Sequence, residues 1–166
     1  NMGYALMGVL AGGTAGVAAV LLYMVIYLFM SAGTFAILLG LRRGGRMIED
    51  ISDFAGLSRV QPGAAWGLMM MMFSMAGIPP LAGFFGKLMV FQTTVAAGYM
   101  LLAVIGVLSS VVAAFYYLKV IRVIFFDAPA HDVPHGRWDK GQLLVIALSL
   151  VVMFGFIAAP DVVYGP

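Results

Sequence analysis

Cysteine is absent from this chain of 166 residues. Its absence excludes disulfides, cysteine-ligated zinc, iron–sulfur clusters held by the chain itself and any thiol nucleophile. It also leaves no redox compartment to read. Charge is scarce too: Asp, Glu, Lys and Arg make up 10% of the residues, against 63% hydrophobic and 13% aromatic. Soluble domains run nearer about a quarter charged, and a mean hydropathy of +1.06 argues against a water-soluble fold. A net charge of +2 and a pI near 9.1 raise nucleic acid as a partner. There is, however, no stacked aromatic–basic surface, no glycine-rich phosphate loop after a strand and no serine-nucleophile arrangement. The basic residues are instead distributed as in a membrane protein.

A bilayer core of roughly 30 Å needs about 20 apolar residues of helix. Four stretches meet that need: Thr14 to Leu41, Ala64 to Ala97, Met100 to Phe126 and Gly141 to Ala159. A fifth, Met2 to Ala11, is about half a span long, and lacks the basic n-region and small-residue cleavage site of a signal peptide. Gly12 and Gly13 are expected to turn the chain into the next span. The expectation is therefore an all-α membrane protein of about five transmembrane helices, one membrane domain over 1–166, with partial spans at 2–12, full spans at 14–41, 100–126 and 141–159, and a broken one at 64–97. The short first span suggests a piece of a longer polypeptide or one product of a split gene.

Basic residues give the orientation. Arg42, Arg43, Arg46 and Arg59 follow the first long span, and Lys119, Arg122, Arg137 and Lys140 flank the loop before the last. With every span crossing, these lie on one side and the short turns opposite carry none, a positive-inside pattern. The loops at 42–62 and 127–140 should face the cytoplasm or a mitochondrial matrix. Within the first loop, Met47, Ile48, Ile51 and Phe54 alternate at helical spacing with Glu49, Asp50 and Asp53. That predicts a short amphipathic helix at the interface.

Residues 64–97 carry the chemistry. A straight helix of that length would run roughly 50 Å, well over the bilayer core. Gly77-Ile78-Pro79-Pro80, followed by Gly83 and Gly86, interrupts it. Each proline removes an amide donor and clashes with the carbonyl four residues back. Freed backbone groups in hydrocarbon cost several kcal/mol each, so such a break persists only where protein or water covers it, and discontinuous helices mark ion or substrate sites in transporters. Lys87 follows the break. It lies ten residues before Ala97, and the helical rise puts it roughly 15 Å from that surface. A charge at that depth costs at least about 2.5–3.5 kcal/mol, so the site must be hydrated, paired or partly neutral. All seven carboxylates lie in loops or, for Asp161, beyond the last span. A proton-handling lysine fits this setting; a static ion pair with another subunit is the alternative.

The run Gly77-Ile78-Pro79-Pro80-Leu81-Ala82-Gly83-Phe84-Phe85-Gly86-Lys87 resembles the broken-helix signature of the antiporter-like subunits of respiratory complex I. It is most similar to the subunit N branch, called subunit 2 in mitochondria. Asn1-Met2-Gly3-Tyr4 resembles part of that family's tenth helix, Tyr27-Leu28-Phe29-Met30-Ser31 its eleventh, and Ala114-Phe115-Tyr116-Tyr117-Leu118-Lys119 its thirteenth. The similarity covers the whole chain as the last five of fourteen helices. Gly86-Lys87-Leu88 fits subunit N, whereas the larger paralogues follow their phenylalanines with Ser-Lys-Asp or carry a glutamate at this place. Ser31 stands where those paralogues have a lysine. Plastoquinone-reducing relatives share nearly the same motif.

The resemblance implies a proton-translocating subunit of an NADH–quinone oxidoreductase, without redox chemistry of its own. It implies no cofactor and no metal in this chain, with NADH, flavin, iron–sulfur clusters and quinone held by other subunits. The implied partners are neighbouring antiporter-like and other membrane subunits, the N-terminal part with the earlier glutamate and lysines of the path, and lipid, but no nucleic acid. Lys87 matches the family's proton-transfer lysine, and Gly77, Pro79, Pro80, Gly83 and Gly86 its helix break. Ser74, Gln92, Thr93, Thr94, Tyr116 and Tyr117 are candidates for a polar path, or for interhelical packing. Lys119 is a relay candidate, or an interfacial anchor. Met69 to Met72 reads as adaptable apolar packing, since consecutive helical residues point in different directions. His131 and His135 form a weak metal signal in a polar loop. Two other functions stay open: a subunit of a sodium–proton antiporter complex, and a structural membrane scaffold. Abundant alanine and glycine lean towards a bacterial inner membrane over a mitochondrial one.

Overall fold

A computed structural model describes residues 2–129 and 134–158, the last three without their side chains. Asn1, His131, Ala159 and Asp161, which entered the sequence reading, lie outside the described residues. The chain is mainly helical. Helix α1 covers Met2–Ala11 and α2 Gly13–Gly40, joined at Gly12 and Gly13, both at positive φ (69° and 65°). That left-handed backbone is open to glycine at no steric cost. The stretch expected as one broken span at 64–97 forms two helices, α4 (Pro62–Ala76) and α5 (Ala82–Ala96), preceded by a single turn, α3 (Leu57–Val60). Helices α6 (Met100–Phe126) and α7 (Lys140–Ala158) complete the bundle.

Helix α2 is the centre of the packing, touching α1, α4, α5 and α7. Tyr23, Ile26, Met30 and Ile37 are fully buried along it, at about a turn's spacing. Small residues let its neighbours close in: a side chain on Gly33 would strike Met71 and Ser149, and one on Gly67 would strike Ile37. Within Met69 to Met72, Met71 joins a cluster with Ile26, Met30 and Met153, and Met72 one with Ile37, Leu68 and Ile121, against which Met69 also packs. Two helices, Gly13–Gly40 and Met100–Phe126, are each long and apolar enough by themselves to cross a membrane. The outer side of α6 exposes Leu101, Leu108, Val112 and Phe115.

The loop after α2 departs from the sequence reading, and from an all-α fold. Leu41–Arg43 (β1) and Arg46–Met47 (β2) form an antiparallel hairpin, and His135–Gly136 (β3) pairs with β1 on its other side. Gly44 and Gly45, at φ 54° and 79°, provide the turn. Two consecutive positive φ angles favour a two-residue hairpin and disfavour a helix. Met47 therefore sits in a strand, and the expected amphipathic helix shrinks to a 3-10 turn, Ile51–Phe54. The apolar spacing is still used, because Ile48, Ile51 and Phe54 pack against the cluster around Leu41, Leu57 and Ile124. Asp53 accepts a hydrogen bond from the Asp50 amide and pairs with Arg43. Desolvation disfavours its charge, but these donors outweigh it and hold the carboxyl below its ordinary value. His135 lies opposite Arg42 in the small sheet. Trp138 ties the loop to the bundle: its indole N–H donates to the Ile37 carbonyl at 3.0 Å.

Candidate functional site

The site is the gap between α4 and α5. Helix α4 ends because Gly77 turns left-handed, at φ 85° and ψ 38°. Its N–H donates to the Ser74 carbonyl at 3.0 Å, while the Ile78 N–H reaches the Phe73 carbonyl at 3.0 Å. This is a Schellman arrangement, which satisfies two of the four carbonyls that a helix leaves open at its end. The two that follow, on Met75 and Ala76, still need donors.

Lys87 supplies them. Its Nζ donates to Met75 O at 2.8 Å, to Ala76 O at 3.4 Å and to the Ser110 hydroxyl of α6 at 2.9 Å. The ammonium thus has three acceptors for its three protons. It also lies 5.2 Å from the centroid of the Tyr4 ring, within cation–π range. The residue is only 5% exposed. A cation at the C-terminal end of a helix meets the negative end of the helix dipole, which offsets part of the burial cost. Lys87 makes no salt bridge among the described residues.

The other half of the break is held just as closely. The Gly83 amide, in the first turn of α5, donates to the Ser74 hydroxyl at 3.0 Å. A side chain on Gly83 would begin 1.9 Å from the Ser74 carbonyl oxygen. Glycine is therefore required for the end of α4 and the start of α5 to meet. Gly86 faces Tyr23 and Ile26 of α2, with a would-be Cβ 3.2 Å from Ile26. Pro79 and Pro80 form the exposed corner, joined by a cis peptide bond. A cleft of about 330 Å³ opens at the break, lined among others by Gly77, Phe84, Lys87, Ser110 and Ala114.

Of the expected path residues, Ser74 is drawn into this constellation. Thr93 and Thr94 turn their hydroxyls back on the carbonyls of their own helix, Thr93 to Met89 and Val90 and Thr94 to Val90. Gln92, Tyr116 and Lys119 are exposed, and none of the hydrogen bonds from Lys87 goes to them. Tyr117 is half-buried and lines a second cleft, of about 390 Å³, with Tyr4, Gly106 and Ser109. Two partners of Lys87 escaped the sequence reading as site residues: Ser110 and the ring of Tyr4. The signal for the first was a Ser-Ser pair inside an otherwise apolar run; Tyr4 had surfaced only through the family resemblance.

Comparison with known proteins finds relatives of the chain and of its fold. Residues 1–113 match the family model described as NADH:quinone oxidoreductase/Mrp antiporter, TM. The chain is 49% identical over 165 residues to NADH-quinone oxidoreductase subunit N of Rhodospirillum rubrum, covering 99% of this chain and 34% of that protein. It is 54% identical over 161 residues to the subunit N of Parvibaculum lavamentivorans, covering 96% of this chain and 33% of the relative. A chain in the structure of respiratory complex I from Thermus thermophilus with bound aureothin superposes with a TM-score of 0.78 at 25% identity, over 95% of this chain and 35% of the other. The chain therefore spans about a third of the length of the curated relatives it matches.

Proposed function

The chain belongs to the NADH:quinone oxidoreductase/Mrp antiporter membrane family, and from that premise we propose that it is a portion of a subunit N that carries protons across a bacterial inner membrane, with Lys87 as the group that takes up and releases them. The observation that carries this reading is a buried ammonium at a helix break, hydrogen-bonded but without a carboxylate partner among the described residues. An intramembrane ionisable side chain in such a place is a functional site by default. On this reading the chain crosses the membrane about five times, corresponds to the final helices of the subunit, and packs its exposed apolar faces against lipid and other membrane subunits of the complex. NADH oxidation and quinone reduction belong to those other subunits, and the chain holds no cofactor.

The chemistry follows from the partners. When protonated, Lys87 neutralises the open carbonyl end of α4 and ties α4, α5 and α6 together. Arrival of positive charge upstream in the path would disfavour the ammonium and push its proton onward. The neutral amine keeps two N–H donors and gains an acceptor, so one of the three contacts must weaken or reverse. Charge upstream and the grip on α4 are thereby coupled.

The test is NADH-driven proton pumping in inverted membrane vesicles carrying Lys87→Met in the assembled complex, with electron transfer and assembly measured in parallel. Loss of most pumping, with the complex assembled, is expected. Unchanged pumping would leave this chain a scaffold around a channel formed elsewhere. The sodium–proton antiporter alternative, which shares the family, predicts sodium-dependent transport without NADH or quinone in the same vesicles.

A further inference from the structure

We infer that Ser110 is the outlet for the Lys87 proton, passing it to the cleft beside Tyr4; this rests on the proton-carrying role of Lys87. Lys87 has three hydrogen-bond acceptors, and they are not equivalent. Met75 and Ala76 offer backbone carbonyls, which hold a proton's hydrogen bond but have no proton to pass on. The Ser110 hydroxyl, 2.9 Å away, can accept one proton and release another. Among the protein groups bonded to Lys87, it alone can relay.

What lies beyond Ser110 supports the direction. Ser110 and Tyr4 meet at the same ammonium, Ser110 accepting its hydrogen bond at 2.9 Å and the Tyr4 ring lying 5.2 Å from Nζ. Tyr4 in turn lines the cleft of about 390 Å³ that also holds Ser109 and Tyr117. At about 30 Å³ per molecule in the liquid, that cleft has room for several waters. Ser110 itself lines the Lys87 cleft on the other side. The Ser110–Tyr4 pair thus stands between two spaces, one reaching the lysine and one reaching the outer side of α1 and α6.

The transfer balances without redox chemistry. An Nζ–H bond of Lys87 breaks as an O–H bond forms on Ser110. The original Ser110 O–H breaks and its proton passes to the Tyr4 oxygen, which releases its own proton to water in the cleft. A neutral lysine and one hydrated proton result, and rotation of the two hydroxyls resets the pair. Neighbouring Ser109 is the natural comparison, because its hydroxyl donates back to the Ile105 carbonyl at 2.8 Å and is spent there.

The experiment compares Ser110→Ala, Ser110→Thr, Ser109→Ala, Tyr4→Phe and Lys87→Met in the assembled complex, reading NADH-driven pumping against electron transfer. Ser110→Ala should slow pumping by roughly tenfold, less than the hundredfold of a well-positioned proton-transfer group because cleft water substitutes in part. Ser110→Thr, which restores a hydroxyl, and Ser109→Ala should both pump normally. A purely structural Ser110 would not be rescued selectively by a hydroxyl. Should Ser110→Ala fail to assemble, Tyr4→Phe decides: it keeps the ring and loses only the hydroxyl, and it should also slow pumping. Normal pumping by Ser110→Ala, or by Tyr4→Phe in its place, overturns the relay while Lys87→Met remains impaired. Normal pumping by Lys87→Met overturns the role of the lysine, and the relay with it.

Discussion

Arg42 and Lys87 perform the same local task in two very different places. Each is a cation that donates to carbonyls at the C-terminal end of a helix: Arg42 Nη1 to Leu39 O at 2.8 Å after α2, and Lys87 Nζ to Met75 O at 2.8 Å after α4. Arg42 does so exposed, in a basic loop, where water screens the helix dipole and the pairing is worth about 0.3–1 kcal/mol. Lys87 does so at 5% exposure, where an unpaired charge would cost several times more. The side-chain chemistry differs to match. A guanidinium keeps its proton in any protein environment, whereas a buried ammonium can give one up. Arg42 is thus a fixed cap, and on the proposed function Lys87 is a cap that can be switched off.

The sharpest way to break this comparison is to give Lys87 the chemistry of Arg42. Lys87→Arg retains a cation able to donate to Met75 and Ala76, but that cation does not release a proton. Pumping should fall to near background, as in Lys87→Met, while assembly is retained better than in the methionine variant. Both are read together by vesicle acidification and by native-gel quantification of the complex. Arginine at this position with full pumping would mean that the site stabilises the break and carries no proton.

A second variant asks whether the buried cap depends on the close meeting of the two half-helices. Gly83→Ala places a methyl group 1.9 Å from the Ser74 carbonyl oxygen, and backbone cannot yield as a flexible side chain does. Overpacking of this kind costs about 1–3 kcal/mol, occasionally more. The expected result is a lower thermal midpoint of the solubilised complex and a weakened hold of Lys87 on α4. Gly63→Ala, in the other half-helix, α4, with nothing within 4 Å of its would-be Cβ, should be neutral or slightly stabilising, given the higher helix propensity of alanine. Equal effects of the two substitutions would refute the close-approach argument.

The legible parts of this site are those written as local contrasts. Two prolines and a glycine in an apolar run announce a break whatever surrounds them, and Lys87 is conspicuous for being charged there. What Lys87 touches was not legible. Ser109 and Ser110 are adjacent, and a helix turns about 100° between them; which of the two faces the lysine is decided by how α6 is rotated against α5. Tyr4 reaches the site from α1 by packing across helices, which no spacing within the sequence records. The threonines mislead for the opposite reason: inside a helix a hydroxyl can satisfy itself on the carbonyl four residues back, and Thr93 and Thr94 do so. In the loop, the helical spacing of Met47, Ile48, Ile51 and Phe54 was real, but Gly44-Gly45 carried the stronger local signal.

The smallest expected effect belongs to the exposed cap. Arg42→Ala removes donations to Leu39 O and, at 3.2 Å, to Leu41 O, yet water takes over both carbonyls, and β1 remains paired on both sides through its backbone. The loss should stay within about 1 kcal/mol, shrink further at high salt, and leave pumping unchanged. Thermal melts of the complex at low and high ionic strength read the first two, and the vesicle assay the third. A loss as large as that from Gly83→Ala would mean that the end of α2 is dry, packed against another part of the subunit, and that Arg42 is buried in the assembly. Its fixed charge would then be a second charge in the membrane region, and the contrast with Lys87 would rest on side-chain chemistry alone, since burial would no longer separate them.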